Sequence, residues 1–247
     1  MEHRAVLYDT IGHGYAEVRK PDPRIADAIV RGLGDVHSVV NVGAGTGAYE
    51  PSDRAVVAVE PSTTMIAQRT PGSAPVVRAT AMSLPFKNDS FDAALAVLTV
   101  HHWPDPSLGL TELRRVARRR VVVLTWDSAS PPFWLTDYFP ELLHVDRPLF
   151  PTVRDFERAL GPVSVATIPV PHDCTDGFLG AHWQRPAAYL DARVRGAIST
   201  FSKLSGLESG LERLRADLAS GVWNRKYGEL LDKTELDLGY RLVVAGV

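Results

Sequence analysis

The sequence holds few of the features that would place it outside ordinary globular proteins. Cys174 is its single cysteine, so an intramolecular disulfide and a cysteine-based zinc cluster are both excluded. No apolar run reaches the roughly 18 residues that a membrane-spanning helix needs, so we predict no membrane partner. The opening letters, MEHRAVLYDTIGHGY, lack the apolar core of a signal peptide, which favours a cytoplasmic location.

An excess of charge of either sign is also missing. Lys and Arg total 27, Asp and Glu total 29, and the formal net charge is −2. Binding to a phosphate backbone usually requires a strongly basic face, so we expect no nucleic-acid partner. A hydrophobic content of 45% over 247 residues is typical of a globular chain that buries a sizeable core.

Apolar strands alternate with helical segments through the first half of the chain. Strands are predicted at 39–42, 55–60, 75–79, 91–100 and 121–126, and helices at 23–33, 61–69 and 111–119. Continuous apolar strands separated by helices indicate the α/β class, a parallel sheet with helices on both faces. Two later strands, at 163–170 and 239–247, are predicted to add an antiparallel pair at the sheet edge.

Three glycines, Gly43, Gly45 and Gly47, follow the first predicted strand in VVNVGAGTGAY. Glycine adopts backbone conformations closed to other residues and lets the chain approach a ligand closely. Counted to Ala48, the same letters spell the dinucleotide fingerprint G-x-G-x-x-A. Glu60 ends the second strand, where a carboxylate can bind the ribose of NAD or of S-adenosylmethionine alike. These residues alone leave both cofactors open.

Three further motifs separate the alternatives. LPF (84–86), FDAALA (91–96) and LTVHHW (98–103) follow VVNVGAGTG and VVAVEPS in an order and spacing that resemble the class I S-adenosylmethionine-dependent methyltransferases. The most similar subgroup is the ubiquinone/menaquinone-type and small-molecule "type 11" enzymes, and the resemblance covers about residues 4 to 127. It implies a Rossmann-like seven-stranded sheet whose last strand is antiparallel, helices on both faces and a helical cap.

The resemblance also implies a cofactor and its binding residues. The cofactor is S-adenosyl-L-methionine, the product is S-adenosyl-L-homocysteine, and no metal is expected. The residues implied around the methionine, ribose and adenine parts are Tyr15, Arg19, Gly43, Ala44, Gly45, Gly47, Glu60, Pro61, Ser62, Met65, Thr80, Ala81, Met82, Val97, Leu98 and His102. Many relatives carry Asp and Glu in the adenine loop. Thr80 and Met82 stand there instead, so adenine binding is expected to use backbone groups and packing.

Methyl transfer requires an acceptor aligned with the sulfonium and shielded from water. A base is needed only where the acceptor loses a proton. His102 is the first candidate because the family's fourth strand ends beside the methyl group, with His101 and Asp127 behind it. His102 could instead brace the loop, and Asp127 could cap the next segment.

The second half of the chain is less regular, and we predict that it forms a cap. The chain is expected to be a single domain, with 1–127 as its cofactor-binding half, 128–232 as a lid that faces the substrate and includes one late strand, and 233–247 as a closing strand. The loop PHDCTDGF (171–178) is expected to be structured rather than metal-binding, because its ligand types are too closely spaced. Aromatic side chains that could wall an acceptor site, or form the cap's own core, are Trp134, Tyr138, Phe139, Trp183 and Tyr189.

The predicted function is therefore transfer of a methyl group from S-adenosylmethionine to a small, apolar or aromatic organic acceptor. Oxygen, nitrogen and carbon acceptors all remain open, as do a monomer and a homodimer. An NAD-dependent oxidoreductase shares the glycine loop and Glu60, but the chain lacks a catalytic Tyr-x-x-x-Lys motif. The other alternative is a protein of this fold that binds S-adenosylmethionine without transferring its methyl group.

Overall fold

A mixed sheet of seven strands organises the computed structural model, which describes residues 15–247. Residues 4–14 of the family resemblance lie outside the described residues. The strands are β1 (Ser38–Val42), β2 (Ala55–Val59), β3 (Val76–Val77), β4 (Phe91–Val97), β5 (Ala117–Trp126), β6 (Val163–Thr167), β7 (Val170–Pro171), β8 (Glu235–Leu236) and β9 (Tyr240–Gly246). β7 and β8 form a separate two-stranded ribbon.

The order across the large sheet is β3-β2-β1-β4-β5-β9-β6. The first five strands in this order are parallel, while β9 runs antiparallel to both β5 and β6. This arrangement confirms the predicted Rossmann-like sheet and its antiparallel last strand. Because β1, β2 and β4 are parallel neighbours, their carboxyl ends meet at one edge, where ligands bind in open α/β sheets.

Ten α-helices and five 3₁₀ turns surround the strands in the part of the chain that the structure describes. The helices are α1 (Tyr15–Val18), α2 (Pro23–Leu33), α3 (Thr63–Ala67), α4 (Pro106–Val116), α5 (Leu135–Tyr138), α6 (Glu141–Asp146), α7 (Val153–Leu160), α8 (Ala192–Gly196), α9 (Leu207–Ala219) and α10 (Val222–Tyr227). The 3₁₀ turns are Val100–His102, Arg147–Leu149, Pro186–Leu190, Phe201–Lys203 and Gly228–Asp232. No helix within residues 15–247 is both long and apolar enough to cross a membrane.

The first long helix, α2, has the bounds that the sequence predicts. Asp22 caps it by accepting a hydrogen bond from the Arg24 N–H at 3.0 Å, and Pro23 occupies its first turn. Gly34 ends it with a φ of 65°, a conformation that favours glycine. Its buried face packs on the sheet.

Several predicted boundaries are wrong, and three of the differences are large. The strand predicted over 91–100 ends at Val97, because Leu98 adopts a positive φ of 50° and a 3₁₀ turn follows. The strand predicted over 163–170 divides after Thr167, since Pro169 has no N–H to continue a ladder.

The third large difference concerns the helix predicted over 111–119. It spans Pro106–Val116, because the Asp105 side chain caps it and Ala117 already pairs with Phe91 in the sheet. The arginines that follow therefore lie in β5. Two of them, Arg118 and Arg119, are exposed to solvent at the start of β5. Arg118 forms an ion pair with Asp92 at 2.8 Å.

The core has three parts. One apolar cluster lies between α2 and one sheet face, and a second lies between α4 and the opposite face. The third is separate from the sheet and fills the cap with the side chains of Trp134, Leu135, Tyr138, Phe139, Leu142, Tyr189, Ile198, Phe201, Leu211, Leu214 and Trp223. The cap therefore has a hydrophobic core of its own.

Candidate functional site

A cavity of about 320 Å³ lies at the carboxyl ends of β1, β2 and β4. Of the residues that the resemblance implies around a cofactor, its wall includes Tyr15, Arg19, Gly43, Ala44, Gly45, Glu60, Pro61, Ser62, Met65, Thr80, Ala81, Met82, Val97, Leu98 and His102. Gly47 is the one implied residue that does not line it. The wall also includes seven residues that the resemblance did not place around a cofactor: Asn41, Thr46, Ala48, Tyr49, Thr99, Trp103 and Pro104.

The glycine loop has a backbone that other residues would strain. Gly43, Gly45 and Gly47 adopt positive φ values of 70°, 53° and 87°. A Cβ on Gly43 would collide with the Thr99 side chain, so the loop passes directly against the turn that follows β4. A Cβ on Gly47 would lie 3.1 Å from side-chain atoms of Arg69 and Glu50. Gly47 therefore faces this ion pair, and it does not line the cavity.

A buried ion pair braces this loop from behind. Arg69 Nη2 lies 2.7 Å from Glu50 Oε1, and the two side chains are only 5% and 8% exposed. Arg69 also donates hydrogen bonds to the carbonyls of Gly45 at 3.3 Å and Ala74 at 3.0 Å. Because one guanidinium links the loop to the segment before β3, the loop keeps its shape.

Glu60 is buried at the end of β2 and faces the same cavity. Its carboxylate accepts hydrogen bonds from the Gly45 N–H at 2.8 Å and the Ser62 N–H at 2.9 Å. Ser62 in turn caps α3 by accepting from the Met65 N–H. These bonds hold the carboxylate between the glycine loop and the start of α3.

Asn41 is the most informative residue that the sequence analysis missed. It lies in β1, is 3% exposed and lines the cavity. Its Oδ1 is buried without a hydrogen-bond partner, while its Nδ2 lies 3.5 Å from Glu50 Oε1. An unsatisfied buried acceptor is unusual in a native structure and calls for an explanation. The signal was available: a polar residue interrupts an otherwise apolar strand just before the glycines.

A network of charged and phenolic groups closes one side of the cavity. Arg19 donates to Asp176 Oδ1 at 2.6 Å and to the Tyr15 hydroxyl at 2.6 Å. Tyr49 donates to Asp176 Oδ2 at 2.9 Å, and burial raises the pKa of Tyr49. Asp176 belongs to the loop 171–178, so that loop contacts the cavity wall through Arg19.

A second, smaller cavity of about 60 Å³ adjoins the first. Arg19, Leu98 and His102 line both cavities and therefore form a shared wall. The remaining wall of the second cavity is rich in aromatic side chains and is formed by His101, Trp126, Asp146, Phe150, Phe178, Leu179, Ala197, Ile198, Ser199, Thr200 and Tyr240. Leu98, with its φ of 50°, is one of two non-glycine residues in the described chain with a positive φ, and such strain is concentrated at functional sites.

The two histidines after β4 differ in their surroundings. Their ring centroids lie 3.8 Å apart, and the His101 ring stacks on Phe150 at 4.1 Å with a 16° interplanar angle. His102 lines both cavities, whereas His101 lines only the second. His102 is therefore the histidine at the shared wall.

Asp127 lines neither cavity, so the structure does not bring it to the other two catalytic candidates. Its Oδ1 accepts a hydrogen bond from the Ala129 N–H at 3.0 Å, and its Oδ2 lies 4.0 Å from Arg241 Nε. Asp127 therefore stabilises the turn after β5. This role is similar to the alternative given above, in which Asp127 caps the next segment.

Asp146 is a carboxylate in the second cavity that the sequence analysis did not single out. It ends α6 and is 7% exposed. The Thr200 hydroxyl lies 2.9 Å from each of its two carboxylate oxygens. Burial raises the pKa of Asp146 to about 6. No local motif marks this residue, since its partner lies 54 positions further along the chain.

The aromatic residues proposed for an acceptor wall lie elsewhere. The cap's core contains four of them, Trp134, Tyr138, Phe139 and Tyr189. The fifth, Trp183, packs in the apolar cluster between α2 and the sheet. None lines the two cavities. In the loop 171–178, Asp173 is exposed and contacts Arg24 at 2.7 Å. No group of three or more metal-ligand side chains is assembled among residues 15–247.

Comparisons with known proteins agree on one family. The family model described as "Methyltransferase domain" matches residues 40–125. A solved structure from Anabaena variabilis, assigned as a methyltransferase of an antibiotic biosynthesis pathway, is 34% identical. That match covers 93% of this chain and 99% of the other, with a TM-score of 0.85.

A second protein sequence and a second solved structure are less similar. The rice protein 2-methyl-6-phytyl-1,4-hydroquinone methyltransferase 2 (Oryza sativa subsp. japonica) is 28% identical over 153 residues, which cover 56% of this chain and 42% of the rice protein. A geranyl diphosphate C-methyltransferase from Streptomyces coelicolor, solved with S-adenosyl-L-homocysteine, shares the fold with a TM-score of 0.50 at 15% identity. That match covers 91% of this chain and 75% of the other. The chain belongs to the class I S-adenosylmethionine-dependent methyltransferases of the type 11 group.

Proposed function

We propose that this protein transfers a methyl group from S-adenosylmethionine to a small aromatic acceptor that carries a hydroxyl group. The observation that carries the proposal is the pair of cavities with a shared wall at Arg19, Leu98 and His102. The larger cavity is suited to the donor, and the smaller, aromatic one is suited to the acceptor. Transfer requires the two reactants to meet, and a shared wall is where they can do so.

The residues of the larger cavity fit S-adenosylmethionine. The buried, unpartnered Oδ1 of Asn41 can accept a hydrogen bond from the ammonium group of the methionine part. Gly43 and Gly45 leave the loop free of side chains on the approach to that group. Glu60 can bind the ribose hydroxyls, since its two backbone partners hold its carboxylate at the cavity wall. When bound, the sulfonium supplies an activated methyl group.

The proposed adenine site is apolar rather than charged. Met65 and Ala81 are buried in the cavity wall, and Met82 lies beside them. A thioether packs well against an aromatic ring, which suits adenine. This supports the inference that packing replaces the acidic side chains found in many relatives.

The second cavity supports an aromatic acceptor. Trp126, Phe150, Phe178 and Tyr240 provide its ring-shaped walls, and aromatic pairs prefer offset or edge-to-face contacts with a further ring. The rice relative is named for a substituted hydroquinone, which is a ring with hydroxyl groups. An acceptor of that class has both the flat apolar faces and the polar edge that this cavity matches.

The role of His102, the division of the chain and the partners of the protein are predicted as follows. His102, at the shared wall, is proposed to orient the acceptor relative to the methyl group. The division into a cofactor-binding half at 1–127, a lid at 128–232 and a closing strand at 233–247 is proposed for a single domain. A cytoplasmic location, a monomer or homodimer, and the lack of nucleic-acid or membrane partners also stay predictions.

The test is an assay of methyl transfer with purified protein. We would supply methyl-labelled S-adenosylmethionine with a panel of small phenols, catechols and hydroquinones, and measure labelled product together with S-adenosylhomocysteine. We expect one of these rings to be methylated with equal amounts of both products. Binding of the donor with no transfer to any acceptor would instead favour a non-transferring protein of this fold, and binding of NADH alone would favour an oxidoreductase.

A further inference from the structure

We propose that Asp146, held by Thr200, accepts the proton of the acceptor's hydroxyl group and thereby selects hydroxylated rings. This inference rests on the proposed function and deepens it, since it names the group that activates the acceptor. It differs from the sequence-based expectation that a histidine or Asp127 would take this role.

The carboxylate of Asp146 can accept more hydrogen bonds than its surroundings donate to it. Its side chain is almost fully buried, and the hydroxyl of Thr200 reaches both of its oxygens at 2.9 Å. An ionised carboxylate can accept about four hydrogen bonds. One hydroxyl therefore orients the group without satisfying it. A ligand hydroxyl in the second cavity could supply the missing donor, because Asp146 lines that cavity.

The aromatic rings that line the same cavity as Asp146 favour a role for its carboxylate in binding the acceptor. The walls beside Asp146 include Trp126 and Phe150, whose rings lie edge to face at 5.3 Å. A flat acceptor held by such walls would present its polar edge toward the carboxylate. A surface ion-pair role would not require these neighbours, and a purely structural role would be better served by an amide or an apolar residue, because burying an ionised carboxylate is unfavourable.

The charge state of Asp146 suits a base. Burial raises its pKa to about 6, while the Thr200 hydrogen bond and the positive charge of Lys203 act in the opposite direction. The group is then mostly ionised at neutral pH but is more basic than an exposed carboxylate, as general-base catalysis requires. The other titratable or charged groups around it are Arg147, next in the chain, and, across the cavity, Arg19, His101, His102 and Tyr240.

The chemical step balances in atoms and electrons. The acceptor O–H bond breaks, and its proton passes to a carboxylate oxygen of Asp146. The electron pair left on the acceptor, at oxygen or at a conjugated ring carbon, forms a bond to the methyl carbon. The bond from that carbon to sulfur breaks, and its electron pair stays on sulfur. In the carbon case, the ring carbon then loses its proton to solvent and the oxygen recovers the proton from Asp146.

The first experiment measures the ionisation of a bound phenol, independently of methyl transfer. The probe is 4-nitrophenol, whose absorption distinguishes phenol from phenolate, titrated with protein saturated with S-adenosylhomocysteine. Wild-type protein should bind the neutral phenol and raise its apparent pKa, since the anion of Asp146 disfavours phenolate. Asp146→Asn should remove most of that rise. Glu141→Gln is the matched control, because Glu141 is a carboxylate of the same helix that also accepts from a hydroxyl, Ser205, but lines neither cavity.

The second experiment follows methyl transfer to the ring identified by the acceptor panel. Asp146→Asn should lower kcat by about 10²- to 10⁴-fold, the usual contribution of a general base, with little change in KM for either substrate. The wild-type rate should fall on acidification through a pH of about 6. Thr200→Val keeps the carboxylate and should move that fall to higher pH, because the hydrogen bond that lowers the pKa is removed.

Two results would overturn the inference: a phenol pKa that is the same in wild type and Asp146→Asn, or an unchanged kcat and pH profile. Failure of 4-nitrophenol to bind the protein saturated with S-adenosylhomocysteine would also count against it. These outcomes differ from failure of the proposed function, which would appear as a lack of S-adenosylhomocysteine binding and of methyl transfer in the wild-type protein itself.

Discussion

Replacing Asn41 by leucine should stabilise the ligand-free protein and weaken the binding of its cofactor. The side chain is buried in β1, and its Oδ1 has no partner. An unsatisfied buried polar group costs about 1–3 kcal/mol, and an apolar group of similar shape removes that cost. The hydrogen bond that the amide nitrogen donates is weak, since Nδ2 lies 3.5 Å from Glu50 Oε1. We therefore expect the free energy of unfolding to rise by about 1–3 kcal/mol.

The effect on binding should have the opposite sign. A hydrogen bond to a charged donor contributes about 1.5–3 kcal/mol, so its removal should weaken the binding of S-adenosylhomocysteine about 10- to 150-fold. Urea unfolding gives the stability, and calorimetric titration gives the affinity. Both are measured on the same preparation, so that a folding defect is not mistaken for a binding defect.

Asn41→Asp is the matched variant. It keeps an acceptor for the ligand but brings a second carboxylate against Glu50, so it should retain binding and lose stability. Binding of S-adenosylhomocysteine by Asn41→Leu with the wild-type affinity would refute this role of Asn41. A leucine variant that is less stable than the wild-type protein would refute it as well.

Three further predictions concern the loop brace and the cap. Gly43→Ala should lower the free energy of unfolding by at least about 1–2 kcal/mol, because φ is 70° and the new Cβ would meet Thr99; a wild-type urea curve would contradict this. Glu50→Gln breaks the buried pair with Arg69 and should cost about 3–5 kcal/mol in the same measurement, whereas a loss below about 1 kcal/mol would indicate an exposed-type pair. Asp146 binds protons more tightly in the folded state, so folding is penalised once it ionises. Stability relative to Asp146→Asn should therefore fall as the pH rises from about 4 to above 6, by about 3 kcal/mol in total. A pH-independent difference between the two proteins would show that Asp146 does not titrate in this way.

The class of the sheet, parallel and covered by helices, could be predicted from the sequence because its central strands are apolar on both faces. Runs such as VVNV and VVVLTW leave few alternatives to a buried parallel sheet. The start of α4 could have been predicted as well, since Asp105 and Pro106 form a regular cap and first turn, but the prediction of 111–119 did not use that signal. The early end of β4 was not, because it depends on a positive φ at Leu98, a residue type that gives no local signal for it.

The larger cavity was more predictable from the sequence than the second cavity, for a physical reason. Its residues lie in short segments at the ends of neighbouring strands, so spacing along the chain carries most of the information. The second cavity is assembled from the turn after β4, from β5, α6 and β9, and from the segments 178–179 and 197–200. Its contacts join distant parts of the chain, such as Asp146 and Thr200 across 54 positions. Contacts of that kind follow from how the cap packs, and hydrophobic periodicity does not reveal them.

The central claim is that the cavity at the ends of β1, β2 and β4 binds S-adenosylmethionine through the glycine loop and Glu60. Calorimetric titration of the wild-type protein and of Glu60→Ala with S-adenosylhomocysteine, and separately with NADH, tests it most directly. We predict one S-adenosylhomocysteine bound per chain, no binding of NADH, and an affinity at least about tenfold weaker in Glu60→Ala, as the loss of charged hydrogen bonds implies. Binding of NADH in place of S-adenosylhomocysteine, or an unchanged affinity in Glu60→Ala, would contradict the account.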